Sequence, residues 1–229
     1  MSVEDAAPPE DYEKARYASI AAAIGCITAV GVGLSLSVPL LSLEMERMGA
    51  SNTLIGINTA VAGVAAIMIV PFVPRLAARV GVLTLLWLAV GLAATSLIAF
   101  KVVFDIFWWF PLRFLFSVAL GTLFVLSEFW INSAAPPARR GFVMGIYATV
   151  LALGFAAGPA VLALVGTSGW PPYIAGAVLC CLAALPLLLA RGISPKIGHG
   201  TGRSVLSFIL AAPAATVAAL VFGAVETGG

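Results

Sequence analysis

Runs of about twenty predominantly apolar residues, each long enough to cross a hydrocarbon core as a helix, follow one another along this chain with only short polar breaks between them. The runs are continuous rather than alternating, so they predict α-helices and not the strands of a barrel. Lipid offers a backbone amide no partner, and a helix satisfies its own. Composition closes the soluble alternative. The 229 residues are 62% hydrophobic and 10% charged. A soluble domain is about 45–50% apolar and about 25% charged, and a chain of this size still has a large exterior to cover. The chain therefore reads as an all-α membrane protein.

Six spans are predicted: Tyr17 to Leu41, Thr53 to Val73, Val82 to Phe100, Phe107 to Asn132, Gly141 to Val165 and Tyr173 to Ala190. Ser51 is a natural N-cap for the second. Trp108 and Trp109 at the start of the fourth suggest an interfacial aromatic belt. Residues 1–16 carry Glu4, Asp5, Glu10, Asp11 and Glu13 beside Lys14 and Arg16. A secretory signal starts basic and then apolar, so this stretch reads as a tail. Residues 191–203, with Gly192 and Pro195 among them, form a linker, and residues 204–229 begin a seventh helix that fades at Glu226-Thr227-Gly228-Gly229.

Lysine and arginine set the orientation. Lys14, Arg16, Arg75, Arg79, Arg139, Arg140, Arg191, Lys196 and Arg203 fall on one side, and only Arg47 and Lys101 on the other. The tail, the 2–3 and 4–5 turns and the linker are thus expected to be cytoplasmic. The net charge of +2 includes no basic run suited to nucleic acid.

One basic residue is in neither kind of loop: Arg113 lies inside the fourth span. An arginine at the bilayer centre costs about 2.5–3.5 kcal/mol on insertion scales. It either snorkels to the nearer interface or faces a polar cavity as a substrate or coupling charge. Glu128 follows fifteen residues later on the same helix. That spacing corresponds to a net rotation of about 60° and a rise of about 22 Å, so the two share a broad face without touching. Ser117, Gly121 and Phe124 lie between them on that stripe. Glu128 either belongs to a water-accessible path or reaches the interface to pair with Arg139 or Arg140. In the first span Ser35 and Ser37 make a small polar patch beside Gly31, Gly33 and Pro39, which suits a substrate path or close helix packing. The fifth span carries Gly141 and Gly145, then Gly154 and Gly158, small-residue pairs four apart that let backbones touch; Pro159 adds a kink.

A membrane enzyme would need clustered carboxylates, histidines or a nucleophile pair near the interface. The single histidine, His199, is in the glycine-rich linker and the acids are scattered, so an enzyme is not expected. Cys26, Cys180 and Cys181 all sit inside apolar runs, which argues against a disulfide framework or a zinc site. No cofactor is expected.

The 2–3 turn reads Pro74-Arg75-Leu76-Ala77-Ala78-Arg79-Val80-Gly81-Val82-Leu83; then come Arg113, Arg140-Gly141 with Gly145 and Tyr147, Gly154 with Gly158-Pro159, and Trp170-Pro171-Pro172. In this order they resemble the N-terminal half of a major facilitator superfamily transporter, over nearly the whole chain, and look closest to its YcaD-like branch. Leu76, Ala77, Arg79 and Gly81 fit that family's motif A, G-x-L-A-D-R-x-G-R-R. Ala78 replaces its aspartate, Pro74 its first glycine, and Val82 and Leu83 its basic pair, so the family's acidic latch lacks its acid here. Arg113 matches the arginine of motif B, with Ser117 where a glycine is usual. Gly154 and Gly158-Pro159 resemble motif C, G-x-x-x-G-P, most typical of proton-driven antiporters.

The resemblance implies a six-helix half of the family fold, two inverted three-helix repeats, spanning residues 17–190. Residues 204–229 would open a second half, implying a truncated chain. It further implies secondary transport of a small solute by alternating access in the plasma membrane (the bacterial inner membrane), proton-coupled, with efflux favoured. Arg113, Glu128, Ser35 and Ser37 would serve the cavity, Arg79 and Gly81 a cytoplasmic gate, and Gly154, Gly158 and Pro159 the rocking interface. The partners implied are lipid, a solute, protons and the second half. The competing expectation is a membrane scaffold or truncated product that does not transport.

Overall fold

The computed structural model describes residues 10–190, and among these every regular element is helical. The main helices are α1 (Glu10–Arg47), α2 (Asn52–Ile69), α3 (Val73–Val80), α4 (Val82–Val102), α5 (Ile106–Ala134), α6 (Arg140–Val165) and α7 (Pro171–Ala183). All but α3 lie in the six segments long and apolar enough to cross a membrane. The expected linker at 191–203 and seventh helix at 204–229 lie outside the described residues. One end of the bundle carries Glu44, Lys101 and Asp105, and is called here the Glu44 end; the other carries α3, and is called the Arg79 end.

Helix α1 runs past both of its expected limits. Its 38 residues measure about 57 Å at 1.5 Å per residue, well beyond a hydrocarbon core of about 30 Å. The polar extensions are good helix formers, braced one turn apart by Glu13–Arg16 at 3.3 Å and Glu44–Arg47 at 2.9 Å. Ser51 caps α2, its Oγ accepting from the Leu54 N–H at 3.4 Å, as its position in the sequence predicted. Asp105 caps α5 by accepting from the Phe107 N–H at 2.8 Å.

Besides α1, and α2, which ends at Ile69 and not at Val73, two segments differ from expectation. The Pro74–Gly81 stretch is not an open turn but the short helix α3. Leu76, Ala77, Ala78 and Arg79 favour helix, and Pro74 is tolerated in its first turn. Val73 and Ala77, four apart, are buried while Arg75 and Arg79 are exposed, so α3 lies as an amphipathic step on the Arg79 end. Gly81, at φ 88°, ends α3 with an N–H bond to Ala77 O and starts α4 at once. Helix α7, expected to continue to Ala190, stops at Ala183 and passes into a 3-10 turn at Leu185–Leu188. Pro186 is the reason: it has no N–H, and its ring clashes with the carbonyl four residues back.

The packing repeats itself. Helix α1 packs on α6 as α5 packs on α2, and α4 packs on α5 as α7 packs on α1. The triplets α1–α2–α4 and α5–α6–α7 are thus related in order but start from opposite ends of the bundle. Two inverted three-helix repeats account for both facts. The consequence is unequal coverage. Within their apolar windows α1 and α5 are 67% and 56% buried, whereas α2 and α6 are 11% and 17% buried. The first pair forms the core; the second pair is left to lipid or another bundle.

Candidate functional site

The most extensive helix pair, α1 with α6, is a seam of small residues. A Cβ built on Gly154 would lie 3.0 Å from Gly31 Cα, and one on Gly158 would overlap Ser35 Oγ and come to 2.5 Å from Leu36 N. Ser35 Oγ donates to Gly154 O at 3.0 Å across the seam. Three residues singled out in the sequence, Ser35, Gly154 and Gly158, therefore meet at one contact. Ser37 is fully buried, its Oγ donating to Leu34 O at 3.3 Å on its own helix. Pro159 is exposed, on the outside of α6.

Arg113 is 3% exposed on α5. Among the described residues its guanidinium makes no hydrogen bond and no ion pair, and Nε and Nη1 are fully buried. One turn earlier, Trp109 is also buried. It donates from Nε1 to Val103 O at 2.8 Å, sits edge-on to Phe100 at 5.2 Å, and accepts at its carbonyl from Asn58 Nδ2 at 3.3 Å. Of the two tryptophans read as an interfacial belt, only Trp108 is exposed; Trp109 is a packing residue because its ring faces α4.

One turn beyond Arg113 in the other direction a cleft of about 290 Å³ opens between α1, α2 and α5. Val30 and Leu34, Ala66, and Ser117, Leu120 and Phe124 are among its walls, and among the described residues Ser117 is the one polar side chain lining it. The stripe Ser117, Gly121, Phe124 read from the sequence is its floor. Arg113 and Glu128 flank that floor without lining the cleft. Glu128 is half-buried toward the Arg79 end and makes no ion pair with Arg139 or Arg140. Beside it, Ser127 Oγ and Tyr147 Oη are 3.0 Å apart, joining α5 to α6. Arg79 is exposed on α3 next to Gly81.

A charged hub at the Glu44 end was not anticipated. Glu44, 7% exposed, receives hydrogen bonds from Arg47 Nη1 at 2.9 Å and Lys101 Nζ at 3.2 Å. Arg47 also reaches the α6–α7 hairpin, donating from Nη2 to Thr167 Oγ1 at 2.8 Å and from Nη1 to Thr167 O. Lys101 Nζ lies 5.9 Å from the centre of the Tyr173 ring. The hub ties the ends of α1, α4 and α7 together. A sequence clue existed: Arg47 and Lys101 are the two basic residues on the poorly charged side, and Glu44 stands one turn before Arg47. Glu44→Ala is expected to destabilise the protein by about 1–3 kcal/mol, because Lys101 keeps its half-buried charge and loses its acceptor. A melting curve of the purified variant that overlays the wild type would show that the hub bears no load.

The family model of the Major Facilitator Superfamily matches residues 23–227. The chain is also 24% identical over 182 residues to a Bacillus subtilis protein, the uncharacterized MFS-type transporter YfkF. That alignment covers 80% of this chain and 46% of YfkF, so the chain spans about half the length of the relative it matches. The inverted triplets, the α1–α6 glycine seam and the family match agree: this chain belongs to the Major Facilitator Superfamily, and its six spans are half of that fold.

Proposed function

We propose that the chain is the working N-terminal half of a secondary active transporter that moves a small solute by alternating access, coupled to protons, with efflux by antiport the favoured direction. The observation that carries this reading is Arg113, a cation held deep in a membrane helix with no partner among the described residues. A bilayer protein retains such a charge at a cost of kilocalories, so an intramembrane arginine marks a functional site by default. Glu128, half-buried at the other end of the same stripe, is the proposed second coupling group. The α1–α6 seam around Gly154 and Gly158 is the proposed rocking surface, with Pro159 on its outer side and Ser35 bonding across it from α1. Arg79 and Gly81, at the junction of α3 and α4, form the proposed cytoplasmic gate.

The basic residues support a cytoplasmic N-terminus in the plasma membrane, with residues 1–16 as a tail and 191–203 as a linker. The poorly covered α2 and α6 support docking with a second six-helix bundle, as the half-length match to YfkF suggests. The test is pH-gradient-driven solute flux in proteoliposomes, with the chain alone and with a second bundle supplied in trans. Arg113→Ala and Glu128→Gln are each expected to cut coupled flux by about a hundredfold or more, in the range typical of a proton-transfer group. Unchanged flux in both variants would remove the coupling roles. Flux from the chain alone would decide between a self-sufficient half and a scaffold.

A further inference from the structure

We infer that the cleft between α1, α2 and α5 receives the apolar body of an organic monoanion, an aromatic or medium-chain carboxylate, and that Arg113 receives its acidic group. The inference rests on the transporter reading above and names its solute class.

Three observations converge. The walls of the cleft are aliphatic, aromatic or glycine except for Ser117. Such a surface cannot replace the hydration shell of a sugar, a nucleotide or a small inorganic ion, because each polar group moved there without a partner costs kilocalories. At about 290 Å³, the cleft is just below the about 300–1,000 Å³ typical of drug-sized small-molecule sites, which suits a compact ring system. Its polar atom is Ser117 Oγ, and Arg113 stands one turn away on the same face of α5, a rise of about 6 Å.

Arg113 determines the sign of the solute. Its guanidinium presents a planar fork of donors matched to a carboxylate. No acid among the described residues answers it. Glu44 is engaged by Arg47 and Lys101. Asp105 caps α5, Glu13 pairs with Arg16, and Glu128 is about 22 Å away along the helix. A cationic solute would bring like charge to a buried cation, whereas a neutral one would leave it uncompensated. A carboxylate could also come from another protein segment rather than from the solute, and the experiment below separates these sources.

The 229-residue chain in lipid nanodiscs would be titrated calorimetrically with 2-naphthoate, neutral 2-naphthamide and cationic 2-naphthylmethylammonium, with empty nanodiscs as the blank. Naphthoate is expected to bind about tenfold or more tighter than the amide, as one charge-assisted pair provides, and the cation weakest. Arg113→Met should bring naphthoate down to the amide's affinity, and Arg113→Lys should keep part of the preference. Gly63 lines the cleft, and a Cβ there meets nothing within 4 Å. Gly63→Trp should therefore fold and abolish binding of all three naphthalenes. Equal affinity for the three compounds, unchanged naphthoate binding in Arg113→Met, or no saturable binding by wild type would overturn the inference. The last result is the one expected if a protein carboxylate already occupies Arg113. Transport of another solute without naphthoate binding would sink this inference alone; naphthoate binding without any coupled flux would sink the transporter reading alone.

Discussion

Gly158→Leu is expected to leave little folded protein to purify. The new Cβ would overlap Ser35 Oγ and sit 2.5 Å from Leu36 N, so the collision is with the backbone of α1 and not only with the end of a flexible side chain. Relief requires α1 and α6 to separate along the most extensive helix pair in the structure. Overpacking a tight site costs about 1–3 kcal/mol and occasionally more; a clash with backbone places this one at or above the top of that range. Loss of the Ser35–Gly154 hydrogen bond follows when the helices part. The informative control is Gly145→Leu. Gly145 is exposed, and a Cβ there meets nothing within 4 Å, so this variant should elute and melt as wild type. Size-exclusion profiles and thermal melts of the two variants read the difference. Equal behaviour would mean that the α1–α6 seam does not hold the bundle.

Arg113→Met should have opposite effects on stability and function. The wild-type guanidinium is buried without a partner among the described residues. Replacing a buried charge with an apolar side chain of similar length removes a desolvation cost. On insertion scales that cost is about 2.5–3.5 kcal/mol at a helix centre, so a gain of about 1–3 kcal/mol in stability is expected. For a chain of this size each kilocalorie moves the melting temperature by about 2–4 °C. The same change should abolish coupled transport. A variant that melts lower than wild type would show that Arg113 serves as a structural anchor, its partner lying outside the described residues. A stabilised variant with wild-type flux would remove Arg113 from the mechanism.

The two glycine pairs of α6 show where the sequence stops being legible. Gly141 and Gly145 have the same spacing as Gly154 and Gly158, and both read as packing faces. Only the second pair meets α1; the first is exposed. Spacing identifies a face that could be approached, but which helix approaches it depends on how far segments cross. Trp108 and Trp109 repeat the lesson one residue apart, since adjacent positions on a helix point in different directions. The Glu44 hub was harder still. It joins residue 44 to residue 101 and residue 47 to residue 167, and no local pattern announces a contact at that separation. In contrast, the Ser51 cap and the stripe from Ser117 to Phe124 could be read in advance, because each depends on neighbours within a turn or two.

The sequence by itself determined that this chain lives in a bilayer, that six helices of the described region cross it, and that Arg113 is a charge out of place. These follow from partitioning between water and lipid, which sums over consecutive residues and needs no knowledge of the fold. Tertiary structure alone decided that Arg113 is buried without a partner among the described residues, that an apolar cleft opens one turn from it, and that α2 and α6 are left uncovered. Those facts depend on which side chains from distant segments arrive at the same place, and the inverted packing of two triplets around α1 and α5 is what brings them there.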